Sequence, residues 1–191
     1  MKWGKVDFKQ LKKLQDKMQK LNDMQQEFCE AAAKELAARL LAKVIRRTPV
    51  GDYSEEVEVV AKRDGRKHKK GEVYKKRVNK SGLMGGTLRR GWTSKTHEEA
   101  ASGSGKPTAT SGAEYAQKLP VKRVGDNFVI DIINPVTYSQ YVEYGHRTRG
   151  GGGWVQGRFM LTISVDELQK DAPKILEKKL AKWLGDTLNG K

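Results

Sequence analysis

Cysteine is almost absent from this chain. Its 191 residues contain Cys29 alone, so no disulfide framework can staple the fold. Cys29 sits among the apolar positions of a helical pattern and reads as a small buried hydrophobe, which suits a reducing cytosol. There is no run of about 18 apolar residues, which argues against a membrane-spanning helix. Met1 to Lys5 lacks the apolar core of a secretory signal, and no internal repeat is present. Histidine is scarce too: His68, His97 and His146 stand in unrelated contexts, with no helix-spaced metal pair and no second cysteine for a zinc knuckle.

Catalytic patterns are missing as well. Gly103 to Pro107 invites a phosphate-loop reading, but Ala100 occupies the first glycine position and Pro107 stands where Ser or Thr should follow Lys106. The adjacent pairs Glu55-Glu56 and Glu98-Glu99 would point to opposite faces of a strand, so neither makes an acid/base couple. No Ser/His/Asp or Cys/His arrangement can be assembled. The chain reads as a non-enzyme with no catalytic residue, cofactor or metal.

What the chain has is positive charge. Thirty-eight Lys and Arg against 23 Asp and Glu give +15, while 37% of the residues are hydrophobic and 32% charged. This balance fits a modest core carrying extended, solvated elements. It favours an anionic partner, or a basic surface that keeps subunits soluble until they assemble. Nucleic-acid motifs are lacking: there is no helix-turn-helix, zinc module or RNP-like strand, and the basic regions hold few aromatics beyond Trp3, Phe8 and Tyr74. Any DNA contact would be to backbone, salt-sensitive and sequence-blind.

The length suits a single domain over 1–191. A long N-terminal helix is expected over 7–47, with a capping-box-like start at Asp7 and Gln10. Its stripe runs Leu11, Leu14, Met18, Leu21, Met24, Phe28, Ala32, Leu36, Leu40, Val44, and Pro49 stops it. Forty residues would span about 60 Å, against a radius of gyration of roughly 16 Å for a compact chain of this size. The helix therefore overhangs, and Leu11, Leu14, Met18 and Leu21 are candidates for contact with a neighbouring subunit. A break near Asn22-Asp23 would shorten that overhang.

Residues 52–85 read as an inserted basic β-hairpin. Val57, Val59 and Ala61 alternate with polar positions, Asp64-Gly65 marks a turn, and a second strand-like run starts at Val73. Positions 62–80 hold ten basic residues against two acidic ones, about half the net charge. Arg63, Arg66, Lys67, Lys69, Lys70, Lys75, Lys76 and Arg77 are the candidate anion or nucleic-acid contacts. A solvated arm, and an arm docking on phosphates or carboxylates, both account for this charge.

Residues 86–157 are expected to form a small antiparallel sheet and a short helix: a helical turn at Thr87 to Arg90, a strand from Trp92, a loop over Ser102 to Ser111, a hairpin turning at Gly125-Asp126-Asn127, and a helix over Tyr138 to Tyr144. Val129, Ile130, Ile132 and Ile133 make its second arm the best core strand. Gly150 to Gly153 reads as a loop. Phe159 to Val165 is strand-like by β-branching, and Pro173 suits the first turn of a last helix with Ile175, Leu176, Leu180, Trp183, Leu184 and Leu188 on its apolar face.

Several segments then recur in a telling order: Arg47-Thr48-Pro49-Val50-Gly51; Gly86-Thr87-Leu88-Arg89-Arg90-Gly91-Trp92; Asn134-Pro135; Tyr138 to Thr148, including Tyr-Val-Glu-Tyr-Gly-His-Arg; and Gly157-Arg158-Phe159-Met160-Leu161. This order resembles the tail-completion or head–tail joining minor structural proteins of tailed phages. That family shows a TPV-D-TG-x-LR-x-S stretch, a YA-x-YVE-x-G-[TH]-R stretch and a GR-x-[FM] element. Here the first stretch is split between Gly51-Asp52 and Gly86-Thr87, and His146 stands where Thr is common. Both features are similar to members from contractile-tailed phages, prophages and phage-like particles.

The resemblance implies an α+β fold with a helical region over 158–191. It implies a virion protein of the neck, assembled in the host cytoplasm as a ring subunit, with a hexamer expected. Its partners would be further copies of itself, the tail terminator and the head–tail connector, with nonspecific DNA contact as a further expectation and no membrane partner. Arg89, Arg90, Arg147, Arg149 and Arg158 would gather with Glu143 as interface residues, or else pair inside the subunit with Glu143 and local carbonyls.

Overall fold

The computed structural model describes residues 12–16, 18–19, 24–81, 85–103 and 106–189. The fold is α+β: a long N-terminal helix, small antiparallel ribbons and a long C-terminal helix. Residues 12–16 and 18–19 are helical. Helix α1 then runs Gln25–Arg47, favoured by its alanines and leucines. Arg46 and Arg47 sit in its last turn, at the negative end of the helix dipole, and Thr48 leaves it in extended geometry ahead of Pro49. Leu14 and Met18 are 49% and 61% exposed. Leu11, Leu21, the Asp7/Gln10 start and the Asn22-Asp23 position lie outside the described residues.

Among the described residues the β structure is three separate two-stranded ribbons rather than one sheet. The first pairs β1 (Glu55–Val60) with β2 (Val73–Val78) in antiparallel register, Glu56 opposite Arg77 and Glu58 opposite Lys75. The chain leaves and re-enters the fold at one point: a side chain on Gly85 would collide with the Gly51 carbonyl, 2.1 Å from its Cβ position. The two halves of the split stretch are therefore neighbours in space. At the far end of the ribbon the His68 and Tyr74 rings stack at 4.1 Å, and Glu72 accepts from the Lys69 N–H and meets His68 Nδ1.

Helix α2 (Thr87–Gly91) is the expected turn. No strand follows Trp92. Instead α3 (His97–Ser102) starts at Thr96, whose side chain accepts from the Glu99 N–H. The expected loop over 102–111 is also corrected. Helix α4 (Ala109–Lys118) begins within it, with Thr108 and Ser111 forming a reciprocal capping box. Gly112 lets α4 approach α1 closely, since a Cβ there would lie 3.0 Å from Ile45 Cδ1 and 3.2 Å from Leu41 Cβ.

The hairpin at Gly125-Asp126 is short: β3 (Lys122–Val124) pairs with β4 (Asn127–Val129). The segment beyond it belongs to no ladder, and its alternation leaves Ile130 and Ile132 half-buried and Asp131 and Ile133 exposed. Ile130 and Ile132 pack on the core, whereas Ile133 is 69% exposed. Helix α5 (Ser139–Tyr144) leads directly into β5 (Gly145–Arg147), which pairs with β6 (Trp154–Gln156). The four glycines form the tip of that hairpin, with Gly150 and Gly151 at positive φ.

Helix α6 covers Met160–Asn189 without a break. Pro173 lies inside it rather than at its start, and the β-branched run at 162–165 is helical, as the family resemblance implies and propensity alone does not. Helix α6 runs antiparallel to α1, with Arg47 bonded to Glu167 near one end and Phe28 against Trp183, centroids 4.9 Å apart, at the other. The core gathers where α1, α2, α4 and the start of α6 meet: Leu41, Val44, Ile45, Leu88, Trp92, Ala116, Val136 and Met160.

Candidate assembly interface

Thr48, fully buried, ties the two halves of the split stretch together. Its hydroxyl donates to the Val44 carbonyl at 2.6 Å and accepts from Trp92 Nε1 at 2.8 Å. Its carbonyl accepts from Arg89 through both Nε and a terminal nitrogen. Arg90 is buried at 8% exposure and donates to the carbonyls of Ala100 and Gly85 and to the Thr87 hydroxyl. Asn134 closes the group by donating to the Leu88 carbonyl. These two guanidiniums therefore hold loop carbonyls at Thr48 and Gly85 and the Ala100 carbonyl in the last turn of α3.

Glu143 is likewise internal, at 6% exposure, and it meets no arginine. Its Oε2 accepts from the Leu161 N–H at 3.0 Å, and its Oε1 accepts from the Thr162 N–H at 2.9 Å and the Thr162 hydroxyl at 2.8 Å. A carboxylate from α5 thus caps the N-terminus of α6, where free N–H groups and the helix dipole favour negative charge. The approach is close because Gly157 has no side chain: its Cβ would fall 2.2 Å from the Glu143 carbonyl oxygen. Backbone bonds from Arg158 to Val142 and from Phe159 to Glu143 complete the lock, and Phe159 takes φ 48 to fit it.

Arg147, Arg149 and Arg158 differ from the first two arginines. All three are exposed, and among the described residues none of their side chains has a hydrogen-bond or ion-pair partner. They sit on and at the base of the β5–β6 hairpin, which packs mainly on itself and on α5. Around them Tyr141, Tyr144, Trp154 and Val155 are 60%, 61%, 62% and 44% exposed. His146 meets the Tyr141 ring edge-on at 5.9 Å. Beside the hairpin lies an open groove of about 250 Å³, lined by Trp92, Ile132, Ile133, Tyr144, Met160 and Leu161 among others. The five arginines do not gather: two close the core junction and three stand outside it.

The basic arm is exposed as well. Arg63, Arg66, Lys67, Lys69, Lys70, Lys75 and Lys76 are exposed with no side-chain partner among the described residues, and Arg77 pairs with Asp52 at 3.1 Å. The cross-strand positions Glu56/Arg77 and Glu58/Lys75 face each other in register without forming an ion pair. Among the described residues no group of three or more His, Cys, Asp or Glu could hold a metal ion, and no helix is long and apolar enough to cross a membrane.

Residues 12–145 match a family model described as "Bacteriophage HK97-gp10, putative tail-component". The chain belongs to the HK97-gp10-like family. The matched span covers well over half of the sequence and ends where β5 begins. An HK97-gp10-like tail component is a structural protein of the virion, which sets its exposed hairpins in a context of protein assembly. Comparison with curated proteins and with solved structures returned no match.

The two kinds of arginine in this HK97-gp10-like chain should separate experimentally. Arg89→Ala leaves the Thr48 carbonyl buried without a partner and is expected to lower stability by about 2 kcal/mol, a fall in Tm of roughly 4–8 °C. Arg147→Ala removes an exposed, unpaired group and should leave Tm within about 1 °C. Thermal melting of both variants checks this; equal melting temperatures would contradict the division.

Proposed function

We propose that the protein is a subunit of the phage neck, completing the head-proximal end of the tail or joining the tail to the head as a closed ring, with six copies expected. The observation that carries this reading is the β5–β6 hairpin. It presents unpaired Arg147, Arg149 and neighbouring Arg158 beside exposed Trp154, Tyr141 and Tyr144. Aromatic and arginine side chains dominate the energetic centres of protein interfaces, and a two-stranded ribbon of this size is marginal unless something packs on it. Ring closure needs two different complementary surfaces on each subunit. The exposed Leu14 and Met18 of the N-terminal helical segment offer a second surface, apolar where the hairpin is cationic and aromatic. The tail terminator and the head–tail connector are the partners this role requires. The split stretch and His146 support a contractile-tailed phage or a phage-like particle as its setting.

The triple change Arg147→Ala, Arg149→Ala, Trp154→Ala tests the role. The purified variant should melt as the parent does. In cells producing the other virion proteins, it should yield at least tenfold fewer particles with tails joined to heads, counted by electron microscopy. Normal particle yield from the variant, or tails joined to heads in its complete absence, would remove the proposal. A second reading, sequence-blind nucleic-acid binding through the basic arm, is supported by its unpaired cations; the titration described next separates it.

A further inference from the structure

A second concentration of charge lies away from both hairpins. Between α1 and α6 runs an open trough of about 530 Å³. Lys174, Lys178 and Lys182 line one wall at four-residue steps, all exposed and, among the described residues, without partners. Two such steps spread the three lysines over about 12 Å of helix. Arg39 faces them from α1.

The two carboxylates that line the trough are bonded to other cations. Glu35 is bonded to Lys179 and Arg39, and those two bonds, Lys179's first, hold its carboxyl below the ordinary range. Asp171 is taken by Lys43 at 3.1 Å. Neither is bonded to the stripe, and the trough's five lining cations, Arg39, Lys174, Lys178, Lys179 and Lys182, outnumber its two carboxylates.

We propose that this trough binds the phosphodiester backbone of double-stranded DNA. Lysine is a compact, mobile point charge suited to phosphates, and it lacks the planar fork that selects carboxylates. Lysine is also depleted at protein–protein interfaces and abundant at DNA interfaces. No exposed aromatic lines the trough to anchor a protein partner. Contact of this kind holds duplex without reading its sequence.

The test is a fluorescence-anisotropy titration of the full chain with a 30-base-pair duplex, at 50 and 200 mM salt. Three proteins are compared: the parent, the trough variant Lys174→Gln, Lys178→Gln, Lys182→Gln, and the arm variant Lys67→Gln, Lys69→Gln, Lys70→Gln. The trough variant should bind at least tenfold more weakly at 50 mM salt. Its slope of log K against log salt should be shallower by about 2.7 if all three lysines contact phosphate, since each contact contributes roughly 0.9. Polyglutamate of equal charge should compete poorly. Parental affinity and slope in the trough variant would overturn the proposal, and loss confined to the arm variant would move the site to the arm. No parental binding at 50 mM salt, or effective competition by polyglutamate, would overturn it as well. The titration uses purified protein and reads no assembly, so its failure leaves the neck role untouched.

Discussion

Trp92→Ala is expected to cost the protein about 4 kcal/mol, toward the upper end of large-to-small core changes. The indole is 4% exposed and lies in the same cluster as Leu41, Val44, Val136 and Met160. Its removal opens a cavity at the point where α1, α2 and α6 meet. It also deletes the bond from Nε1 to the Thr48 hydroxyl. A loss of this size is a large share of the stability of an ordinary domain, and should lower Tm by roughly 8–16 °C. Trp92→Phe keeps most of the packing and loses the N–H, so a fall of only about 1–2 kcal/mol is expected. Combining Trp92→Phe with Thr48→Val should then cost less than the two single changes added together, because both remove one hydrogen bond. A Trp92→Ala variant melting within 2 °C of the parent would show that the indole does not organise the core.

That junction was partly legible in the sequence. The apolar stripe through Val44, the stop at Pro49 and the aromatic of the Thr87 to Trp92 stretch are local signals, and α1 and α2 form where they point. The role of Thr48 was not legible, because its partners lie 41 and 44 positions away. The capped helix α4 was hidden by composition: a segment of Gly, Ser, Thr and Pro reads as loop, although Thr108 and Ser111 at a three-residue spacing form a capping box. The 129–133 run misled in the opposite direction. Its β-branched residues signal a core strand, but only Asn127–Val129 pairs, so burial falls on alternate residues along an extended segment. Pro173 looked like a helix start because its first-turn preference is strong. The tertiary contacts of α6 with α1, from Arg47–Glu167 to Phe28–Trp183, carry the helix through it.

The candidate site was legible as a set of residue types and not as a place. Arginine, glycine and aromatic residues in the 86–92 and 141–149 stretches mark a junction, and both stretches do border the groove through Trp92 and Tyr144. Which arginines are internal depends on which carbonyls are left without regular partners, and that follows only from the path of the chain. Arg90 finds the carbonyls of Ala100 and Gly85 because α3 ends beside it. Arg149 finds nothing because it rides on a glycine-rich tip.

Glu143→Ala is expected to cost about 3 kcal/mol and to reach beyond stability. The carboxylate satisfies two N–H groups and a hydroxyl at the start of a 30-residue helix. Residue 159 cannot replace it, since phenylalanine carries no acceptor. Truncation leaves the Leu161 and Thr162 donors without partners and removes a charge from the positive end of the helix, where loss of a cap alone costs about 1 kcal/mol and an unsatisfied buried group about 1–3 kcal/mol. The expected fall in Tm is roughly 6–12 °C. Glu143→Gln retains one acceptor oxygen but turns an amide donor toward an N–H, so it should lie between parent and alanine. The carboxylate's bonds to Leu161 and Thr162 lie next to the backbone bonds from Arg158 and Phe159 to the carbonyls of Val142 and Glu143, which close the base of the β5–β6 hairpin. Loss of the cap is expected to loosen that base as well. The glutamine variant, still folded at growth temperature, should therefore give fewer joined particles than Arg89→Ala at comparable Tm. Equal particle yields at matched stability would confine Glu143 to folding and leave the orientation of the hairpin to other contacts.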